Sequence, residues 1–473
     1  MNKYAHGIVA SCLLALTLTG CNGSGGENEV KVPGNNAGGT ENSASAASED
    51  GATPAVGKKK IVFSTFWHDA KYKAAIQEYE SLHPDIEIKL EDFDYTDATL
   101  EADMEKYISA TNTAMLAGKG PDLLEVDILP FDSYIKHSLL ADLNPMMAQD
   151  KHFKKSDYFT NVLDNVRVGE SLYTMPFSFF LMGFAGDEGA IAKTGVKFDD
   201  HSWSWSDFMK TAKAMTTSGG LPSALSYGGP EYLLGEMVSD NYSLFVDPDE
   251  RKAHFDSASF TGLMKQVKAM FDEGIVSKIG RGANAYFRSV QINSPKDYLE
   301  TMKVTGLEMK MFAKEDGDHM RLYAKPHAQD TSAGGYFKTY RSVAISANSK
   351  VKPEAWDFVK FMLSEDMQSP ATTTGFPINK AAYAKQIEEL KKQGAFKSAQ
   401  EGPLQGAMIQ VDGEMLSGLD SYVNGAVHST KNDNSDKLRG LIITESEAYF
   451  AGQKTAEAVA NLIQNKAMTV LNE

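Results

Sequence analysis

The chain is 473 residues long, and 63 acidic against 47 basic side chains give it a formal net charge of −16. That balance argues against nucleic acid as a partner and against flat adhesion to anionic lipid, since both need a cationic face. Only two cysteines occur, Cys12 and Cys21, so no disulfide framework holds the fold and a large apolar core has to suffice.

Residues 1–20 read as a secretory leader. Lys3 is the only formal charge there, and 8–20 is a mostly apolar run too short for a permanent bilayer span. It ends in Leu18, Thr19, Gly20 and Cys21, which resembles the lipobox of bacterial lipoproteins. That resemblance implies diacylglycerol on the Cys21 sulfur and cleavage just before it. Cys12 would leave with the leader, so the mature chain has no thiol for a disulfide, a zinc site or a nucleophile. Residues 21–57, rich in Gly, Ser, Asn and Ala, cannot bury enough surface to fold and are expected to be a disordered tether. Gly57 and Lys58 superficially suggest a phosphate loop, but the glycine spacing is one residue too long and Lys59 replaces the needed Ser or Thr.

The folded part begins at Lys58. An apolar, β-branched run from Ile61 to Trp67 predicts a strand ending at His68 and Asp69. Tyr72, Ala75, Ile76, Tyr79 and Leu82 recur at helical spacing, with Asp69 as N-cap and Pro84 as stop. Ile86, Ile88 and Leu90 alternate with charges as a half-buried strand does, and Leu100 to Met115 form a second helical face ending near Gly118. A third strand is predicted over 122–128. Strand, helix, strand, helix, strand means a parallel α/β sheet with covered faces.

The stretch 172–184 (LYTMPFSFFLMGF) carries no charge, five aromatics and a central Pro176. Proline cannot donate to a ladder, so the segment suits a strand end, a bulge or a crossing. It reads as a passage between two lobes and the floor of a cleft; an edge strand inside one large domain is the alternative.

Several segments, in order, resemble the family 1 extracellular solute-binding proteins, the receptors of bacterial ABC importers. They are the first strand ending in Trp67, 82–88 (LHPDIEI), 118–124 (GKGPDLL), 173–176 (YTMP), 205–213, 255–276, 343–365 and 375–379 (GFPIN). The resemblance covers about 60–380 and departs at 184–191, where members carry a Tyr-Asn-Lys-like segment. It implies an α/β, two-lobe periplasmic-binding-protein-like fold of class II with discontinuous lobes around a hinge. Lobe one would be 58–174 and 341–378, and lobe two 175–340 and 379–473. The Ala- and Glu-rich residues 445–466 are expected to form one long terminal helix.

Catalytic patterns are missing. No Gly-x-Ser-x-Gly elbow or His-Glu-x-x-His occurs, and the ten histidines lack metal-ligand spacing, so no enzyme, cofactor or metal is expected. Ligand recognition uses the residues better, because in open α/β lobes it lies at the carboxyl ends of strands. Trp67, His68 and Asp69 end the first strand; an aromatic beside a carboxylate suits the apolar face and hydroxyls of a sugar, and plain core is the alternative for Trp67. Glu125 and Asp127 flank Val126 and would point the same way, toward the cleft or toward solvent. Phe177 could floor the cleft. Glu231 and Tyr232 follow a Gly-Gly-Pro turn, and Tyr336 and Arg341 bracket the return strand. Trp203, Trp205 and Trp356 read as structural.

The function expected is an extracytoplasmic carbohydrate receptor delivering a mono- or oligosaccharide to an ABC permease. It would be a monomer, held at the outer face of the cell membrane only by lipid at Cys21. A same-fold receptor for another solute or for a sensor protein, and a surface glycan-acting enzyme, are the alternatives.

Overall fold

The computed structural model describes residues 58–247, 250–278, 284–328, 333–370, 374–400, 402–430 and 435–472. The expected leader, Cys21 and the tether lie outside them. No helix among the described residues is long and apolar enough to cross a membrane.

The first elements follow the local pattern closely. Strand β1 (Lys59–Ser64), helix α1 (Ala70–Leu82), strand β2 (Ile86–Glu91), helix α2 (Leu100–Leu116) and strand β3 (Leu123–Glu125) alternate, and β1 pairs in parallel with β2 and β3. The Asp69 carboxylate caps α1 by accepting the Lys71 N–H at 2.8 Å, and Tyr72, Ala75, Ile76 and Tyr79 are its buried face. Past α2, Gly118 takes a left-handed φ of +68°, which glycine adopts without steric cost. Strand β3 is shorter than 122–128 because a turn intervenes: the Leu129 N–H donates to the Val126 carbonyl at 3.0 Å.

The remaining strands are β4 (Met175–Asp187), β5 (Ser223–Tyr227), β6 (Val246–Asp247), β7 (Lys252–Ala253), β8 (Val276–Lys278), β9 (Ala285–Ile292), β10 (Met320–Ala324), β11 (Gly335–Ile345), β12 (Phe376–Pro377), β13 (Ala395–Lys397), β14 (Met408–Gln410) and β15 (Ala426–Ser429). The main sheet runs β2-β1-β3-β11-β4-β9-β5-β8, with β10 and β12 also on β4 and β15 on β11.

Strand β4 is the centre of this arrangement. Residues 175–182 pair with β11 and 183–187 with β10, while 178–179 pair with β12 and 181–186 with β9. Both of its edges are therefore occupied, which removes the edge-strand alternative, and its partners change near Met182. The return strand β11 joins β3 on one side and β4 on the other. Its register with β4 is interrupted only opposite Phe177, where Arg341 has φ +58°; pairing resumes at Ser342 with Pro176. Proline brings no N–H to that break, so no ladder donor is stranded there.

Aromatic packing fixes the far half. Phe184, Trp203, Phe208 and Phe287 are fully or almost fully buried against one another, and the Trp203 indole donates to the Ala324 carbonyl at 2.9 Å. Trp205 opens the helix Trp205–Ser218 behind a Ser204–Asp207 capping box, and Trp356 is buried with its indole on Asp150. The C-terminal region corrects one expectation. Two helices, Ser435–Phe450 and Ala456–Asn472, replace the single long one, because Gly452 at φ +73° ends the first.

Gly183 of β4 faces β10 closely; a Cβ there would lie 2.7 Å from the Tyr323 carbonyl oxygen and 2.8 Å from the Leu322 side chain. Gly183→Val should cost about 1–3 kcal/mol of stability by overpacking. Chemical denaturation would show it as a lower midpoint at unchanged slope, and an unchanged midpoint would mean that the two strands part easily.

Candidate functional site

Three carboxylates, from the start of α1 and the end of β3, converge on one arginine. Strand β1 runs out at Thr65, α1 begins at Asp69, β3 ends at Glu125, and the kink in β11 turns Arg341 toward all of them. The guanidinium contacts both oxygens of Glu125 at 3.0 and 2.9 Å and Asp69 at 3.2 Å. It also lies over the rings of Tyr72 and Tyr340, at 5.6 and 5.2 Å. Glu125 is buried and accepts two further bonds, from the Thr65 and Tyr72 hydroxyls, each at 3.0 Å. Asp127 holds the backbone of the kink, accepting the N–H of Arg341 at 2.6 Å and of Ser342 at 3.1 Å. A non-glycine residue at positive φ in mid-strand is strained. Here two backbone bonds and two ion pairs hold it.

The electrostatics follow from burial. Desolvation pushes Glu125 up to about 7, with Asp127 adding repulsion and Arg341 and Tyr72 pulling the other way. Asp127 is likewise raised by burial, against the pull of its backbone N–H donors. Arg341 stays charged, its pKa raised by the surrounding acids against the cost of burial.

A cavity of about 570 Å³ opens beside this cluster, lined by Asp69, Lys71, Tyr72, Phe177, Tyr340 and Arg341 among others. On the same strand ends stands an aromatic group. Phe66 stacks on Tyr95 at 4.9 Å and on Phe93 at 5.9 Å, and Trp67 meets Phe66 and Tyr95 edge-on at 5.1 and 6.0 Å. Phe66 is buried, whereas Trp67, Phe93 and Tyr95 remain half-buried and offer ring surface. Flat rings next to a charged, hydrogen-bonding cluster can bind a ligand that has both an apolar face and hydroxyls.

Of the residues singled out from the sequence, Asp69, Glu125, Asp127, Phe177 and Arg341 come together in this cluster. Trp67 adjoins it. His68 is exposed and turned to Asp92, 2.9 Å away, and to Lys73. Glu231 and Tyr232 lie elsewhere: Glu231 lines a separate groove with Phe271 and Lys278, and Tyr232 is 45% exposed. Tyr336 is 2% exposed, with its ring under Lys325 at 4.7 Å and against His428 at 5.0 Å. Lys325 in turn is buried between Glu236 at 2.8 Å and Asp240 at 2.5 Å, so this group is a closed ionic core. Sequence reasoning missed Phe93 and Tyr95, although the alternation Asp92, Phe93, Asp94, Tyr95 after a strand was a usable signal. It also assigned Tyr72 only to a helix face.

Residues 68–369 match the family of bacterial extracellular solute-binding proteins. Solved structures with a similar fold include a family 1 extracellular solute-binding protein from Alicyclobacillus acidocaldarius (16% identity, 88% of this chain and 99% of that one, TM-score 0.57). The sugar-binding protein MalE of Xanthomonas citri is similar as well, at 14% identity over 88% and 98% of the two chains with TM-score 0.58. So is a periplasmic oligogalacturonide-binding protein from Yersinia enterocolitica, at 15% identity over 88% and 99% with TM-score 0.58. At these identities the likeness establishes the fold.

Arg341→Met would leave Glu125 buried without its cation and should cost about 3–5 kcal/mol, of which E125Q added to it regains a large part. Denaturation of the single and double variants measures both; additive losses would mean that the pair is not coupled. The pH dependence has a definite sign. Because folding raises Glu125 from 4.5 to about 7, the folded protein binds that proton more tightly than the unfolded chain does. Its contribution is therefore greatest below 4.5 and is lost as pH rises through about 7, so wild type should lose stability relative to E125Q across that window. Parallel pH profiles of the two proteins would exclude the raised pKa.

Proposed function

The chain belongs to the bacterial extracellular solute-binding proteins and so acts outside the cytoplasm, and from that premise we propose that it is a carbohydrate receptor serving an ABC importer. The observation carrying this reading is the half-buried aromatic group of Trp67, Phe93 and Tyr95 beside the Asp69–Arg341 pair. Rings take the C–H face of a sugar, while carboxylate and guanidinium pair with neighbouring hydroxyls. The names of two structural relatives, a sugar-binding and an oligogalacturonide-binding protein, support the same class.

Delivery works by closure of two lobes, 58–174 with 341–378 and 175–340 with 379–473. The change of partners along β4 and the kink at Arg341 support this division. Ligand that touches both lobes favours the closed state only by its differential affinity for it, and the closed shape is what the permease would recognise. The protein binds and releases its solute without chemistry and works as a monomer. Lipid on Cys21 holds it at the membrane, and the tether lets it reorient there.

A binding carbohydrate should stabilise the purified protein by about 2.7 kcal/mol at a hundredfold excess over Kd. Thermal shift across mono- and oligosaccharide panels measures this, and silence across broad panels would refute the carbohydrate reading. Trp67→Ala should then weaken binding at least roughly tenfold, or 1.4 kcal/mol, with little change in unliganded stability. A large loss of unliganded stability would assign Trp67 to the core instead.

A further inference from the structure

Between Met175 and Met182, strand β4 pairs with β11 at every residue except Phe177, because the kink at Arg341 stands opposite it. Strand β12 pairs only with Ser178 and Phe179, so the ladder on that side stops short of Phe177 as well. A buried backbone carbonyl needs a donor. Two reach this one: Nε2 of Gln368 at 3.0 Å and the N–H of Ile378 at 3.3 Å.

Gln368 ends the short helix Glu365–Gln368 and is 3% exposed. Its Oε1 accepts the N–H of Asn379 at 3.0 Å, and its backbone carbonyl accepts Nε2 of Gln386 at 3.1 Å. Asn379 in turn donates Nδ2 to the Leu363 carbonyl at 3.0 Å and caps the helix Lys380–Gln393 by accepting the Ala382 N–H at 3.1 Å. One carboxamide therefore bridges two passages of chain, β4 beside the kink and the segment leading out of β12. Its orientation is fixed, since the amide turned over would set oxygen against the Phe177 carbonyl and NH2 against the Asn379 N–H. A ladder ties strands along their length. A side-chain bridge ties them at one point and lets the angle between them change, as closure about a hinge requires.

We infer that Gln368 is a positioning residue for lobe closure: its carboxamide couples the passage at Phe177 to the passage at Asn379, so that the two turn together and the balance of open and closed forms depends on it. This rests on the two-lobe reading above, in which 174–175 and 378–379 are both lobe boundaries. Gln368 also lines the cavity beside Arg341, which puts the coupling at the wall of the proposed solute site.

The test measures inter-lobe distances by pulsed electron–electron double resonance in the mature chain with Cys21→Ser. Spin labels go on Glu105→Cys and Glu447→Cys, both exposed and one in each proposed lobe. Gln368→Met keeps the length of the side chain and loses both amide bonds, while the Phe177 carbonyl retains its Ile378 donor. In that variant the ratio of longer to shorter distances should change roughly tenfold, the weight of one buried hydrogen bond. Gln464→Met is the control, because the Gln464 amide makes the same pair of bonds inside proposed lobe two, to the Ala253 carbonyl at 2.8 Å and from the Phe255 N–H at 2.7 Å. Its distances should match wild type. If Gln368→Met does not fold by circular dichroism, Gln368→Glu, which keeps the acceptor and loses the donor to Phe177, takes its place with the same expectation. Equal changes in the Gln368 and Gln464 variants would overturn the inference, since general loosening would explain both. The same labels separate it from the reading beneath it. If mono- and oligosaccharide panels move the wild-type distance and the Gln368 variant does not differ from wild type, this inference alone fails; if nothing moves the distance in any protein, the two-lobe reading fails with it.

Discussion

One arginine holds the centre of this molecule in its shape. Arg341 stands where the return strand β11 meets both the first parallel strands and the long strand β4, and its backbone is in a conformation that β-strands do not otherwise use. Isolated, that conformation would relax to extended. Asp127 holds its N–H, while Glu125 and Asp69 hold its guanidinium, and the three come from the end of β3 and the start of α1. The kink therefore exists only when two segments remote from it in sequence are already in place. A buried ion pair of this kind adds less net stability than its distances suggest, because both charges lose water. What it contributes is geometry: it sets the angle at which two long strands pass and opens space on either side of the pass.

Arg341 acts through both its side chain and its backbone. The side chain lines the cavity beside α1, in company with aromatic rings and Asp69, and the backbone N–H is held by Asp127. The buried group around Lys325 serves a different end. Glu236, Asp240 and the ring of Tyr336 neutralise and cover its ammonium, tying the start of β11 to the helix Pro230–Asp240. Burial pushes Asp240 up to about 6 even with Lys325 beside it, a measure of how little water reaches this core.

Much of the fold was legible in the sequence wherever a segment's own pattern decided it. Asp69 as the cap of α1, the periodic face of Tyr72 to Tyr79, and Trp205 as the head of a helix were each announced within a few residues. The uncharged stretch around Pro176 announced a buried strand with the proline near one end, and β4 begins at Met175. One terminal helix over 445–466 is what composition suggests, but Gly452 in its left-handed φ ends one helix and a second follows. The candidate site was legible in part. Residues at strand ends came together as expected, but Glu231 and Tyr232, identified by a glycine turn alone, lie at another groove, and Tyr336 is enclosed. A turn specifies where the chain bends, not what it faces.

The amino-acid sequence by itself determined the α/β alternation of the first elements, the start of α1, the likeness to solute receptors and the exclusion of cysteine chemistry from residues 58–473, because these depend on near neighbours and on composition. Tertiary structure alone decided that Glu125 lies under Arg341, that Phe93 and Tyr95 complete an aromatic group with Trp67, and that Asp127 holds the backbone of the kink. The reason is that burial and pairing are properties of what packs against a residue. Arg341 is 216 positions from Glu125, and nothing in the chain between them encodes the 2.9 Å contact that the folded sheet creates.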